Sequence, residues 1–465
     1  MGEFDELRYP FNSLLEFIGG GYFRERAGLH LTIALILFAV LTARVMLGRG
    51  PVVQRLITVF FAGTVYNNPA FSVPGGLHFN EIAGVVAALW IGVSLLGGLT
   101  MDVRRVGVPI FIGGLVMLAH AAFVSVWHVS LLPDNGTAIM RGVLVARIFV
   151  LGIIVVGMEA LFRTEADFEA LMQAMVTYAV AAILIYFIQV AVFASGTRPY
   201  GTYWDAGFTG IPSFGAVSIE RGHFGKFLIV LFPFFAWAAA KRRSRIPMLL
   251  FFLVTLVNFS ASSMSFLAGY LLITLLLLHR FVIRPSALKW AVPAVATVVI
   301  LASRFGKQYG GLIEKIVEYG VRGGAGGGRG FSVLDAYLSA YPFGIGYSGS
   351  TLRNVGMLPQ INMGAYAMAS QLSFLIIPIF AGFLWLNYRV VRTSPRIGDR
   401  IVAGLLVGGM LMVVLIDLVD VLWFVPTLWA PLIIADGLAH ARERSAVAEP
   451  VTATPVVWGS PSTVH

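Results

Sequence analysis

Apolar runs of about membrane-spanning length recur along the whole chain, and they constrain its fold more than any other feature. A helix needs about 20 apolar residues to cross the hydrocarbon core of a bilayer. The run 246–281 is too long for one crossing, and its polar interruption at 258–265 predicts two shorter helices. With that run counted twice, about 13 spans are predicted. The runs that meet or approach the required length are 29–47, 56–72, 81–99, 107–127, 142–162, 171–194, 222–240, 246–281, 290–304, 365–388, 401–418 and 421–438.

The composition excludes an ordinary soluble domain. Hydrophobic residues make up 58% of the chain and charged residues 12%, and the mean hydropathy is +0.84, all far from soluble usage. The predicted fold class is therefore an all-α polytopic integral membrane protein with about 12–14 transmembrane helices. The chain has no cysteine, which excludes thiolate catalysis and cysteine-ligated metals. Its formal charge of +10 fits basic loops held against anionic lipid and needs no nucleic acid.

Loop charges predict the orientation of the chain. Lysine and arginine favour the cytoplasmic side, and the basic segment 241–245 is the clearest cytoplasmic anchor. On this map the loops 127–141, 195–221 and 304–364 face outward, and the last is one large extracytoplasmic loop. The predicted domains are an N-terminal segment that is outside or interfacial, a transmembrane domain with these outer loops, and a disordered cytoplasmic tail. Their bounds are 1–28, 29–438 and 439–465.

The outer loop 304–364 holds a glycine-rich stretch, 323–328, between Arg322 and Arg329. Successive glycine N–H groups can form an anion-binding nest, and arginine offers bidentate contacts to phosphate. We therefore predict that this loop captures an anion, with Arg353 as a further contact. The alternative is a flexible hinge with solvated arginines. A nucleotide P-loop is excluded because the stretch lacks a Gly-Lys-Ser/Thr ending.

The outer loop 195–221 is rich in aromatic residues and glycine, and it includes Tyr203 and Trp204. Aromatic faces stack on sugar rings, although the same residues also mark an ordinary interfacial belt. At the end of the loop, Glu220, Arg221 and His223 place a carboxylate, a guanidinium and an imidazole at the mouth of the next helix. This cluster is a candidate site.

One ordered set of features carries a family resemblance. An outward Arg221-Gly222 element is followed by a basic cytoplasmic turn, a serine-rich helix break at 258–265, Arg329, and the sequence Tyr-Pro-Phe-Gly-Ile-Gly-Tyr at 341–347. This order resembles the O-antigen polymerase and O-antigen ligase superfamily, in which an arginine, a short helix and a Pro-x-Gly-x-Gly type of turn are common. The resemblance covers roughly residues 195–388 and implies a GT-C-like membrane fold.

The resemblance implies a glycosyltransferase that uses polyprenyl-diphosphate-linked sugars. The expected reaction is polymerisation of lipid-linked oligosaccharide repeat units for an O-antigen, capsule or exopolysaccharide. The growing glycan moves from undecaprenyl diphosphate to an incoming undecaprenyl-diphosphate-linked repeat unit. The expected location is the bacterial inner membrane, as a multi-pass protein with the active site facing the periplasm. Expected partners are these lipid-linked oligosaccharides, membrane lipids and a chain-length regulator.

The candidate residues have distinct roles in this reaction. Arg221 and Arg329, and then Arg322, would stabilise the charge that develops on the departing diphosphate. The base that takes the proton of the acceptor hydroxyl would be Glu220, His223 or Asp335. The other predicted substrate contacts are Arg147, which lies about two turns inside a span, and Tyr203, Trp204, Tyr347 and Arg353.

Several of these residues also have a structural interpretation. Arg221 could anchor its helix by reaching to the interface, and Glu220 could simply pair with it. His223 could be a satisfied polar group at the start of a helix. Asp335 could cap the segment 333–341. Arg147 could pair with a buried carboxylate rather than a ligand.

Two other functions stay open. An O-antigen ligase would transfer glycan to lipid A core, but ligases of this superfamily usually carry a histidine late in the large outer loop, and this chain has none between Arg280 and Ala439. A transporter or flippase for lipid-linked glycan predicts internal repeats and short outer loops. The sequence shows no metal-ligand pattern, so a metal-independent reaction without a cofactor is expected.

Overall fold

The part of the chain that the computed structural model describes is helical. The α-helices whose first and last residues it describes are α1 (Leu29–Met46), α2 (Val52–Ala62), α3 (Phe79–Leu96), α4 (Glu165–Ala194) and α5 (Phe331–Ala340). These residues contain no β-strand, which confirms the all-α part of the predicted fold class. The described residues are 29–66, 71, 78–97, 119–120, 150–154, 157–158, 161–162, 164–196, 214–218, 224, 227, 234–235, 237–238, 250, 331–344, 373 and 381.

Two of the helices are long and apolar enough to cross a membrane. They are α3 and the segment Ala166–Ala194 of α4. The bounds of α1 and α3 agree within three residues with the predicted runs 29–47 and 81–99. The predicted number of spans, the two long outer loops as a whole and the domain boundaries lie outside the described residues and stay predictions.

A basic turn joins α1 to α2. The last carbonyl groups of a helix have no donor within the helix, and Arg55 supplies one by donating from Nη1 to the carbonyl oxygens of Met46 and Gly48. Arg44 and Arg49 lie at the same end of the helix pair. This concentration of positive charge in a short turn is the arrangement expected on the cytoplasmic side of a membrane.

The helical segment of α2 is shorter than its apolar run predicts. The run 56–72 predicts one span, but α2 and the 3-10 helix Gly63–Val65 comprise only 11 and 3 residues. Their length is about 22 Å, against about 30 Å for the hydrocarbon core. Thr64 Oγ1 and Asn80 Nδ2 both donate to the carbonyl oxygen of Phe60, at 3.1 and 3.0 Å. The bond from Asn80 holds the end of α2 against the start of α3, whereas the bond from Thr64 joins the 3-10 helix to the last turn of α2.

Close packing of α2 and α3 depends on glycine at the contact points. A Cβ atom on Gly63 would lie 2.5 Å from the Cβ atom of Asn80, and one on Gly84 would lie 2.6 Å from Cδ2 of Phe60. Small side chains let helix backbones approach, as is common between membrane helices. The small residues on the buried face of α3 are Ala83, Gly84, Ala87 and Ala88.

The opposite face of α3 is apolar and exposed. Val93 and Leu96 are 68% and 91% exposed. The buried face, in contrast, includes Asn80 and Glu81, which are 3% and 6% exposed. An apolar outside and a partly polar inside is the reverse of the pattern in a soluble protein. The exposed apolar residues of this helix are Ile82, Val86, Leu89, Trp90, Val93, Leu95 and Leu96.

The N-terminus of α4 is capped by reciprocal hydrogen bonds. Thr164 Oγ1 accepts from the backbone N–H of Asp167 at 3.2 Å, and the Thr164 N–H donates to Oδ2 of Asp167 at 2.9 Å. The predicted run 171–194 therefore begins too late, whereas its end agrees with Ala194. With 30 residues, α4 is about 45 Å long and exceeds the hydrocarbon core of a bilayer.

The direction of α4 follows from a contact near its start. Gln54, in the first turn of α2, donates from Nε2 to the carbonyl oxygen of Leu161. Leu161 lies just before α4, so the start of α4 is beside the basic turn and its end, Ala194, is at the opposite end of the helix group. If the basic turn is cytoplasmic, as the loop charges predict, Ala194 is expected toward the outer side.

Aromatic rings connect α1, the end of α2 and α4. The ring centroid of Phe38 lies 5.1 Å from that of Tyr66 and 5.8 Å from that of Tyr178. The Tyr178 hydroxyl forms a hydrogen bond of 2.9 Å with Thr42 Oγ1. The Tyr66 hydroxyl is buried and has no hydrogen-bond partner in the described structure. Two tyrosines of one cluster therefore differ in what their hydroxyl groups contribute.

This difference predicts unequal effects of removing the two hydroxyl groups. Tyr66→Phe deletes a buried polar atom that has no partner, so we expect an unchanged or higher unfolding temperature. Tyr178→Phe removes one partner of the Thr42 contact and should cost about 1 kcal/mol. Thermal unfolding of both variants in the same detergent measures the difference. A larger loss of stability in Tyr66→Phe than in Tyr178→Phe would contradict the assigned contacts.

Candidate functional site

Asp335 is the predicted site residue that the structure describes. The other predicted catalytic residues and substrate contacts lie outside the described residues, and their roles stay predictions. They are Glu220, Arg221, His223, Arg329, Arg147, Tyr203, Trp204, Arg322, Tyr347 and Arg353. The structure does describe segments next to some of them. Residues 214–218 and Phe224 flank Glu220, Arg221 and His223, and α5 follows Arg329.

Asp335 lies within α5 and is exposed. Since α5 begins at Phe331, Asp335 is beyond its first turn, which contains no acidic residue. The interpretation of Asp335 as the cap of a segment 333–341 is therefore wrong, because a capping residue precedes the first helical residue. Exposure leaves the carboxylate accessible from water, as a base requires, and its catalytic role stays a prediction.

A tight turn follows α5 directly. The Gly344 N–H donates to the carbonyl oxygen of Tyr341 at 2.8 Å, which closes a four-residue turn. Pro342 suits the second position because its ring presets φ. Gly344 has a φ of +86°, which glycine adopts without the strain that a side chain would bring. The order of a short helix and then a Pro-Gly turn is the one that the resemblance implies after Arg329.

Two side chains from distant parts of the sequence contact this turn. His120 Nε2 lies 2.7 Å from the carbonyl oxygen of Phe343, although 223 positions separate the two residues. Ser373 Oγ donates to the carbonyl oxygen of Pro342 at 2.5 Å. Neither residue was predicted from the sequence to belong to the site. Local patterns carry no signal for two residues that meet only when the chain folds.

A second contact attaches the end of the outer loop 195–221 to α4. Gln189 is fully buried, and its amide forms two hydrogen bonds with one loop residue, Ala216. Oε1 accepts from the Ala216 N–H at 2.8 Å, and Nε2 donates to the Ala216 carbonyl oxygen at 3.2 Å. We call this pair of bonds the Gln189 clasp. It satisfies the N–H and the carbonyl group of a buried residue that lies outside regular secondary structure.

Backbone strain marks the same position. Ala216 has a φ of +52°, in the left-handed region that residues with a Cβ atom seldom adopt. Such a conformation persists only where the surrounding contacts enforce it. The Gln189 clasp supplies that enforcement by holding both polar groups of Ala216. The loop end therefore has one defined geometry on α4.

Aromatic contacts extend the attachment. The ring of Phe224 stacks on Tyr186 of α4, with centroids 5.6 Å apart and an interplanar angle of 16°. Phe214 packs against Tyr186 and Phe193 at 6.3 and 5.6 Å. Residues 214–218 and Phe224 are thus both attached to the C-terminal half of α4. The predicted site residues 220–223 lie between these two attachments in the sequence.

Two described groups near the candidate site have proton chemistry. The His120 imidazole contacts the turn after α5, and the Asp335 carboxylate lies on α5 itself. Within the residues that the structure describes, no cluster of three histidine, aspartate or glutamate side chains is placed to hold a metal ion.

Comparison with known proteins adds no further constraint. No protein-family model, curated protein or solved structure matches the chain. A functional proposal therefore depends on the residues, on their contacts and on the resemblance of their order in the sequence.

Proposed function

We propose that the protein is a membrane-embedded glycosyltransferase that polymerises lipid-linked oligosaccharide repeat units. It transfers the growing glycan from undecaprenyl diphosphate to a hydroxyl group of an incoming undecaprenyl-diphosphate-linked repeat unit. The observation that carries the proposal is the order of Arg329, α5 and the hydrogen-bonded turn 341–344. This order resembles the O-antigen polymerase and ligase superfamily.

The exposed surface of α3 supports a membrane location. Its exposed stripe, which includes Leu89, Trp90 and Val93, would be costly in water and costs nothing in lipid hydrocarbon. The capped start of α4, with Asp167 in its first turn, suits the aqueous boundary rather than the hydrocarbon. We place the protein in the bacterial inner membrane, with the basic turn of α1 and α2 in the cytoplasm and the site facing the periplasm.

The attachments on α4 support a binding role for Arg221. Ser218 belongs to the segment held by the Gln189 clasp, and Phe224 belongs to the stack on Tyr186. Arg221 is three residues from each of them, and three residues reach at most about 11 Å. Attachment on both sides therefore limits where Arg221 can lie. A charged group that must meet a diphosphate gains from such restriction.

The reaction requires stabilisation of the charge that develops on the diphosphate and positioning of the reacting groups. The bond between the anomeric carbon of the growing glycan and a diphosphate oxygen breaks, and the diphosphate keeps the electron pair. The acceptor hydroxyl oxygen bonds to the same carbon and loses its proton to a base. Guanidinium groups of Arg221 and Arg329 would meet the charge that grows on the diphosphate, and they act most strongly where water is excluded.

Polymerisation by purified protein tests the proposal. Wild-type protein in nanodiscs is incubated with an undecaprenyl-diphosphate-linked repeat unit, without nucleotide or added metal. We expect a ladder of lengthening lipid-linked glycans, formed at least about 100-fold more slowly by Arg221→Ala and Arg329→Ala. Arg221→Lys and Arg329→Lys are matched controls: they keep the charge, lose the bidentate contact and should give intermediate rates.

The other possible functions give different results in the same experiment. Transfer of glycan to added lipid A core without a ladder would identify a ligase. Substrate binding with neither product would favour a transporter or flippase. Equal rates in the wild type and both alanine variants would support a polymerase in which Arg221 and Arg329 have no role in the reaction. Matching unfolding temperatures establish that the variants fold.

A further inference from the structure

The His120 imidazole has one satisfied and one unsatisfied nitrogen. Nε2 lies 2.7 Å from the carbonyl oxygen of Phe343. Nδ1 is shielded from solvent and, within the part of the chain that the structure describes, has no hydrogen-bond partner. A shielded polar atom without a partner loses its hydration and gains nothing in return. Such an atom in a native structure needs an explanation, and a catalytic role is one that accounts for it.

The hydrogen bond to Phe343 decides which nitrogen carries the proton. A carbonyl oxygen can only accept, so Nε2 is the donor. In a neutral imidazole the other nitrogen, Nδ1, then has the free lone pair. The same bond holds the ring in one orientation, as a backbone carbonyl commonly does for a functional histidine. His120 is therefore oriented with a proton acceptor on its unsatisfied side.

The position of His120 brings this acceptor to the candidate site. Its carbonyl partner belongs to the turn 341–344, which directly follows α5. That turn is held from a second side by Ser373, through the carbonyl oxygen of Pro342. A base needs a fixed position relative to the reacting atoms. Here both the imidazole and the turn that supports it are restrained.

We propose that His120 is the general base of the polymerisation, a role that rests on the function proposed above. Its Nδ1 accepts the proton of the acceptor hydroxyl while that oxygen bonds to the anomeric carbon of the growing glycan. The bond from this carbon to the diphosphate oxygen breaks, and the diphosphate leaves with the electron pair. The imidazolium keeps its Nε2–H bond to Phe343, and its Nδ1 proton passes to water that enters when the product has left. The acceptor hydroxyl is the partner that Nδ1 lacks.

Two amide substitutions separate a base from a residue that only supports the turn. Glutamine places an amide N–H near the position of Nε2, so His120→Gln can keep the bond to Phe343 but has no basic atom. Asparagine places its amide near the position of Nδ1, so His120→Asn loses the bond to Phe343. We expect His120→Gln to lower kcat for ladder formation by about 10² to 10⁴-fold, with KM for the lipid-linked repeat unit little changed.

A matched control addresses the turn itself. Ser373→Ala removes the other side-chain contact to the turn without removing a base, so its kcat should fall much less than that of His120→Gln. Added imidazole should restore part of the activity of His120→Ala, because a free base can enter the space left by the side chain. Unfolding temperatures of all variants show whether each protein is folded.

The outcomes are distinct. A slow but folded His120→Gln variant, together with imidazole rescue of His120→Ala, supports the base. Normal kcat in His120→Gln together with a loss in His120→Asn would assign His120 to support of the turn. Failure of imidazole to rescue His120→Ala would also overturn the role as base. In both cases, ladder formation by the wild type would still support the polymerase function. If the wild type forms no ladder under any substrate condition, the proposed function fails, and the base proposal fails with it.

Discussion

Replacing Gln189 by leucine is expected to release the end of the outer loop 195–221 from α4 and to slow polymerisation strongly. The change removes both bonds of the Gln189 clasp and leaves the N–H and the carbonyl group of Ala216 without partners. Each buried unsatisfied group costs about 1–3 kcal/mol. The left-handed conformation of Ala216 then loses the clasp and keeps the turn hydrogen bond from the Ser218 N–H to the carbonyl oxygen of Gly215. The cost is local, so the loop end should detach while α4 stays helical.

Gln173→Leu is the matched control for this prediction. Gln173 lies on the same helix, and its Nε2 donates to Thr177 Oγ1 at 3.1 Å, one turn away. Loss of that contact changes no loop. Hydrogen exchange in peptides that cover 214–218 should rise in Gln189→Leu and not in Gln173→Leu, and ladder formation should fall only in the first. Equal exchange in the two variants would show that the clasp does not hold the loop.

Local patterns predict the helices well where hydropathy alone decides the bounds. The runs 29–47 and 81–99 agree with α1 and α3 because an apolar segment in lipid has to satisfy its own backbone hydrogen bonds, and a helix does so. The start of α4 was missed because its first turn is polar. Thr164 and Asp167 form a capping signal that is visible in the sequence, but it lies outside the apolar run.

The residue at which α2 ends cannot be predicted from a local sequence pattern. Its apolar run continues past Val65, whereas the helix ends where Asn80 donates to the Phe60 carbonyl group. The close approach of Gly63 to Asn80 is likewise a contact between separate helices. Pairwise contacts of this kind decide where a helix stops even when hydropathy allows it to continue.

The candidate site likewise has a part that local sequence predicts and a part that it does not. The short helix and the turn after Arg329 are what the resemblance implies from residues that are close in sequence, and the structure has both. Gln189 offered a weak signal, since a lone amide in an apolar helix needs a partner, but the sequence does not name Ala216 as that partner. His120 offered none, because 223 positions separate it from Phe343. A site that is assembled from distant segments cannot be predicted from local patterns in one sequence.

Replacing Gly84 by alanine is expected to destabilise the protein, although alanine is the better helix former. The added Cβ atom would lie 2.6 Å from Cδ2 of Phe60, and the next nearest atoms belong to the same ring. That ring is 8% exposed and packs edge-on against Phe61 at a centroid distance of 5.0 Å, so it has little room to retreat. The helices would have to separate, which weakens the hydrogen bond from Asn80 to the Phe60 carbonyl oxygen.

Gly92→Ala isolates this steric effect. Gly92 lies on the same helix, and a Cβ atom there would meet no atom within 4 Å. The gain in helix propensity is similar at both positions, so it cancels in the comparison. Overpacking typically costs about 1–3 kcal/mol, and Gly84→Ala should be less stable than Gly92→Ala by that amount in detergent unfolding. Equal stability of the two variants would mean that α2 and α3 do not approach as closely as the contact between Gly84 and Phe60 requires.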